Sequence, residues 1–166
     1  MPPRRNSKHW KDALLSYSKG KLSAKACADV IAACGQAKVW TTAVHLFEHA
    51  LDVNSKLDTV NYNTMIHACG RATQWKRAVH YFESMEKMRG LRKDLVSYNS
   101  SLSALERASE WRRCLHMLVC MVADQVTVDA VSLTSAVTAC GRRSQWPWSL
   151  AILRGADYAQ VEMDRF

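Results

Sequence analysis

The chain has 166 residues, 48% of them apolar and 23% charged, which is enough apolar content for a packed core and too much for a disordered tail. Lys and Arg number 23 against 15 Asp and Glu, a formal charge of +8, so an acidic partner such as nucleic acid belongs among the hypotheses. No run approaches the roughly 18 consecutive apolar residues of a membrane span, and the six cysteines form no C-x-x-C pair, which argues against a zinc site or a redox couple.

The opening "MPPRRNSKHW" is basic and lacks acids, as in an organelle-targeting segment, and no apolar signal-peptide core follows it. Trp10, Ala13, Leu14 and Tyr17 then lie on one helical face, so residues 1–23 are expected to form a half-unit cap. From there the sequence repeats. Trp40, Trp75, Trp111 and Trp146 stand 35, 36 and 35 residues apart, each preceded seven positions earlier by Ala33, Ala68, Ala104 or Ala139. The repetition divides the chain into units 24–58, 59–94, 95–129 and 130–164.

Each unit reads as two helices. The first carries Cys27, Ile31 and Cys34, then Tyr62, Ile66 and Cys69, then Tyr98, Leu102 and Leu105, then Leu133, Val137 and Cys140, spaced by four and three as on one helical face. The glycines Gly35, Gly70 and Gly141 follow in three units, with Glu106 in the other, and Gly70 is expected to end its helix. The second helix opens at each tryptophan, with apolar or small residues three, four and seven positions on. Such pairs cannot bury their faces alone, so the units must stack into an all-α solenoid without an internal domain boundary.

Several local patterns have plain explanations. "HLFEH" at 45–49 matches an inverted zinc-protease motif, yet His45 aligns with His80 and His116, and Glu48 with Glu83. A second-helix variant explains it better than a metal site. The recurring cysteines act as small hydrophobes, and the tryptophans as packing between repeats more than as base-stacking platforms. Asn63 and Asn99 near their helix starts are either caps or recognition groups.

The stretches "DTVNYNTMIHACGRATQWKRAVHYFESMEKMRGLRKD" at 58–94 and "DLVSYNSSLSALERASEWRRCLHML" at 94–118 resemble pentatricopeptide repeats. The resemblance implies a right-handed superhelix whose first helices line a groove for single-stranded RNA, one base per repeat. It implies base-reading pairs Asn63 with Asp94, Asn99 with Asp129, and Thr134 with Asp164, preferring U, U and G in turn. The base-sandwiching aliphatic position falls on Val60, Val96 and Val131, and the phosphate-side basic position on Arg71, Arg107 and Arg142. The first unit has Lys25, Ala28 and Gln36 at these places and keeps only Asp58, so it is expected to pack and not to read.

The expectation is a non-catalytic RNA-binding module of a mitochondrion or plastid, with no cofactor, bound metal or small-molecule substrate. The alternative is a structural or scaffold subunit of a larger organellar assembly, such as a ribosome or an energy-converting membrane complex. Its partner subunits would cover an end of the stack that lacks a polar capping helix.

Overall fold

A computed structural model describes residues 24–37, 39–52, 57–88 and 90–163. The expected half unit at 1–23 and the reader Asp164 lie outside the described residues. Within them, eight α-helices and no strand alternate in antiparallel pairs: α1 (Ala24–Gln36) with α2 (Trp40–Asp52), α3 (Thr59–Arg71) with α4 (Trp75–Ser84), α5 (Leu95–Arg107) with α6 (Trp111–Ala123), and α7 (Ala130–Arg142) with α8 (Trp146–Met163). First helices pack on first helices in the order α1, α3, α5, α7, and each pair packs on the next, which makes the chain a helical solenoid. No helix among the described residues is long and apolar enough to cross a membrane.

Helix starts follow from aspartates. Asp58, Asp94 and Asp129 have extended backbones, and each carboxylate accepts the backbone N–H three residues on, from Asn61 (3.0 Å), Ser97 (2.8 Å) and Ser132 (2.8 Å). That is the N-cap interaction. At Asp94 it is reciprocal, because the Ser97 hydroxyl also accepts from the Asp94 N–H at 3.3 Å, closing a capping box. The asparagines are therefore not caps.

The turns correct one expectation. Gly70 does not end α3, which runs on through Arg71; the left-handed residue is Thr73, at φ 58°. Thr73 N–H donates to Gly70 O at 3.1 Å and Gln74 N–H to Cys69 O at 2.9 Å, the paired bonds of a Schellman ending. Ser109 and Ser144 repeat it at φ 57° and 55°. Gly70 serves packing instead: a Cβ there would lie 2.9 Å from the Ala104 Cβ and 3.2 Å from its Cα. Gly35 meets Ala68 in the same way, at 3.1 Å. The glycine–alanine repetition in the sequence is thus a close helix crossing.

The core is continuous through the stack. Phe47 of α2 meets Tyr62 of α3 edge to face at 5.0 Å, and Phe82 of α4 meets Tyr98 of α5 at 4.8 Å, a geometry that adds to simple burial. Cys27, Cys34, Cys69, Cys114 and Cys140 are buried; burial pushes the Cys69 thiol up to about 11 and that of Cys114 to about 12, which leaves those two inert. Tyr98 is fully buried, and its hydroxyl donates to Asp124 Oδ2 at 2.5 Å. Tyr98→Phe removes this bond to a charged acceptor and is expected to lower stability by about 1–2 kcal/mol in urea unfolding, with the helical circular-dichroism signal unchanged.

Candidate nucleic-acid interface

Helical spacing sets one face of each first helix apart from the core. On α3 that face carries Val60, Asn63, His67 and Arg71; on α5, Val96, Asn99, Ser103 and Arg107; on α7, Val131, Thr134, Thr138 and Arg142. Val60, Val96 and Val131 are 60%, 56% and 55% exposed. A β-branched apolar side chain left in solvent at the same place in three consecutive repeats is a ridge without a partner among the described residues. In α1 the same place belongs to the exposed Lys25.

Beside each valine lies a polar bracket that spans two repeats. Asn63 Nδ2 donates to Asp94 Oδ1 at 3.1 Å, and Asn63 Oδ1 accepts from the Ser97 hydroxyl at 2.7 Å. One repeat on, Asn99 Nδ2 donates to Asp129 Oδ2 at 3.0 Å and Asn99 Oδ1 accepts from Ser132 Oγ at 2.6 Å. The structure thus brings together two of the sequence-inferred pairs and adds a serine to each. Ser97 and Ser132 were legible as the third residue after each aspartate, the capping-box spacing. Burial raises the affinity of Asp94 and Asp129 for protons, but hydrogen bonds from the serine backbone and hydroxyl and from the asparagine outweigh it, holding both below the ordinary 3.8.

Elsewhere the bracket is incomplete. At the first junction Asn61 replaces the serine and its Nδ2 donates to Asp58 at 2.6 Å, while its buried Oδ1 has no partner among the described residues. Ala28, standing where the later repeats have Asn63 and Asn99, offers no amide to meet it. Thr134 is exposed and its hydroxyl donates to Ala130 O at 2.6 Å.

The three arginines are not equivalent. Arg142 donates to the Glu106 carbonyl at 2.8 Å and pairs with its carboxylate at 3.0 Å, so the expected row of three similar phosphate-side cations is corrected to two. Glu106 occupies the place that Gly35 and Gly70 hold in earlier repeats, and its side chain fills the space toward the next helix end. Arg71 and Arg107 have no acidic partner among the described residues. Both act on His67, whose pKa is lowered by partial burial and then by these two guanidinium charges. His45, Glu48 and His49 of the "HLFEH" segment lie on the exposed side of α2, where Glu48 accepts from Tyr81 at 3.5 Å and faces Arg77 at 3.9 Å.

The PPR repeat profile matches residues 60–89, the stretch that holds Val60, Asn63 and Arg71. Maize PPR10 in complex with an 18-nt psaJ RNA element superposes with a TM-score of 0.70 at 26% identity, covering 93% of this chain and 23% of that one. Residues 60–89 are matched as one pentatricopeptide repeat, and the stack has the fold of pentatricopeptide-repeat proteins. Its fold is also that of the pentatricopeptide domain of Arabidopsis thaliana protein-only RNase P 1 in complex with tRNA, at a TM-score of 0.73 and 14% identity, covering 89% of this chain and 81% of that one. The chain spans about a quarter of the length of PPR10. No curated protein sequence matches it significantly. Among the helix pairs, those that open with α3 and α5 have the complete valine, asparagine, aspartate and arginine set.

Proposed function

We propose that the chain is a non-catalytic module that binds single-stranded RNA across α3, α5 and α7, in a mitochondrion or plastid. The observation that carries this reading is the pair of inter-repeat brackets, Asn63–Asp94 and Asn99–Asp129, each beside an exposed valine. Each asparagine amide has one N–H and one lone pair committed within the bracket, which leaves one donor and one acceptor for a base edge. The aspartate and serine fix the orientation of the amide, the valines of adjacent repeats flank the base, and Arg71 and Arg107 attract the phosphates. By this reading U is preferred at the second and third repeats. At the fourth, Thr134 and Asp164 are proposed to read G.

The test is fluorescence anisotropy with short oligoribonucleotides containing UUG or its scramble, at two salt concentrations. Asn63→Ala with Asn99→Ala is expected to abolish the UUG preference while leaving salt-dependent binding and helicity in place. Salt-sensitive binding with no preference in the unaltered protein would sink the base-reading assignment.

A second reading, a scaffold subunit, is favoured by the last repeat. Leu150 and Leu153 of α8 are about half exposed, at places where Val79 and Phe82 of α4 are buried. Trp146 and Trp148 add exposed aromatic surface beside them, an apolar patch of the kind that marks a contact surface. No RNA binding at either salt concentration would favour this reading.

A further inference from the structure

We infer that the edge of the solenoid formed by the turns between first and second helices is a second RNA-binding surface, where Lys76, Arg77, Arg112, Arg113 and Arg143 form a phosphate track for RNA flanking the bases held on α3, α5 and α7. The inference rests on the proposed RNA binding and extends it to a surface outside the base-reading face.

Lys76 and Arg77 occupy the first turn of α4, and Arg112 and Arg113 the first turn of α6. Cations there oppose the helix macrodipole, so another interaction must account for them. Part of the answer lies in the tryptophans. Arg77 stacks over Trp40 of the preceding repeat at 5.5 Å, and Arg113 over Trp75 at 4.8 Å. Lys76 and Arg112 lie over Trp75 and Trp111, at 5.7 and 4.7 Å. Trp40, Trp75 and Trp111 thus pack against the core with one side and form a cation–π ladder on this edge with the other. A guanidinium over a ring keeps N–H groups that do not use the ring, and such groups grip a phosphate; those of Arg77 are shared with Tyr81 and Glu48.

Successive turns touch, so the cations form a line. Trp40 meets Arg77, Trp75 meets Arg113, Trp111 meets Trp148, and Arg143 Nε donates to Ser109 O at 3.4 Å. Three acids stand near the five cations: Glu48 lies 3.9 Å from Arg77 across exposed surface, Glu106 is taken by Arg142, and Glu110 precedes Trp111 at the start of α6, so a net positive charge remains. Trp148 stands where Arg77 and Arg113 do in earlier repeats, which ends the ladder at the fourth unit. RNA is favoured over an acidic protein because Arg71 and Arg107 end the first helices five residues before Lys76 and Arg112. The track therefore continues the base-reading face.

The test compares two probes: a single strand of about six nucleotides containing UUG, and the same strand flanked by a base-paired stem. The triple variant Lys76→Gln, Arg112→Gln and Arg143→Gln leaves the brackets and the Arg77 and Arg113 stacking in place. It is expected to weaken the stem-flanked probe about 30-fold near 0.1 M salt, reduce the magnitude of its log–log salt slope by about 2–3, and change short-strand affinity less than about twofold. An unchanged slope on the stem-flanked probe, or equal losses on both probes, overturns the inference. So does displacement of the stem-flanked RNA by polyglutamate at equal charge concentration. If the short strand fails to bind the unaltered protein, base reading fails, and loss of the stem-flanked probe in the triple variant still supports the track.

Discussion

Asp94→Ala is expected to destabilise the protein by about 2–3 kcal/mol, read as a lower urea midpoint at pH 7. Losing an N-cap accounts for about 1 kcal/mol of this. The rest comes from Asn63, which is only 8% exposed and whose Nδ2 loses the acceptor 3.1 Å away; a buried donor left unpaired costs about 1–3 kcal/mol. Asp94→Asn keeps a capping oxygen and loses the charge-assisted part, so about half the loss is expected. The pH dependence has a definite sign. Asp94 and Asp129 titrate below 3.8 in the folded chain, so their contribution is present above the unfolded-state value and is lost as pH falls through the folded one. The urea midpoint of the unaltered protein should fall as pH drops below about 4, and that of Asp94→Ala should fall less steeply. Equal acid sensitivity in both would show that the bracket does not carry this linkage.

The same bracket shows how much the sequence disclosed. Repeat length, helix pairing and the second-helix starts at Trp40, Trp75, Trp111 and Trp146 were all legible, because a spacing of 35 or 36 residues with helical periodicity inside it leaves few architectures. The juxtaposition of Asn63 with Asp94 came from resemblance, since their sequence separation of 31 gives local periodicity nothing to work on. The aspartates' capping role and the serines were present as D-x-x-S in two repeats and as D-x-x-N at Asp58. Two features escaped. Arg142 looks like Arg71 and Arg107 until the neighbouring repeat supplies Glu106, a contact across 36 positions. The second is the cations: Trp40, Trp75 and Trp111 pack half-buried against the core as their spacing implies, but Ala, Val and Phe on the same helices gave no sign that the outer ring faces lie under Arg and Lys.

Gly70 and Gly141 hold the same place in their repeats, and substituting each by alanine is expected to give opposite results. In Gly70→Ala the new methyl meets Ala104 at its Cβ, its Cα and its backbone N, at 2.9, 3.2 and 3.6 Å. Two of these atoms are backbone, so relief requires α3 and α5 to separate and not merely a side chain to turn. Overpacking of this kind costs about 1–3 kcal/mol, against up to about 1 kcal/mol gained from alanine's helix propensity. In Gly141→Ala the nearest atoms are those of the Trp146 ring at 3.9 Å, ordinary contact, so the propensity gain stands alone. Because that gain is common to both sites, the difference between the two unfolding free energies isolates the crossing of α3 on α5, with Gly70→Ala less stable by about 1–3 kcal/mol. Separation of these helices also stretches the Asn63–Asp94 bracket across the same junction. Gly70→Ala should therefore lose RNA preference at the second repeat, while Gly141→Ala keeps it. Equal stabilities would mean that the glycine–alanine crossing does not set the spacing of the stack.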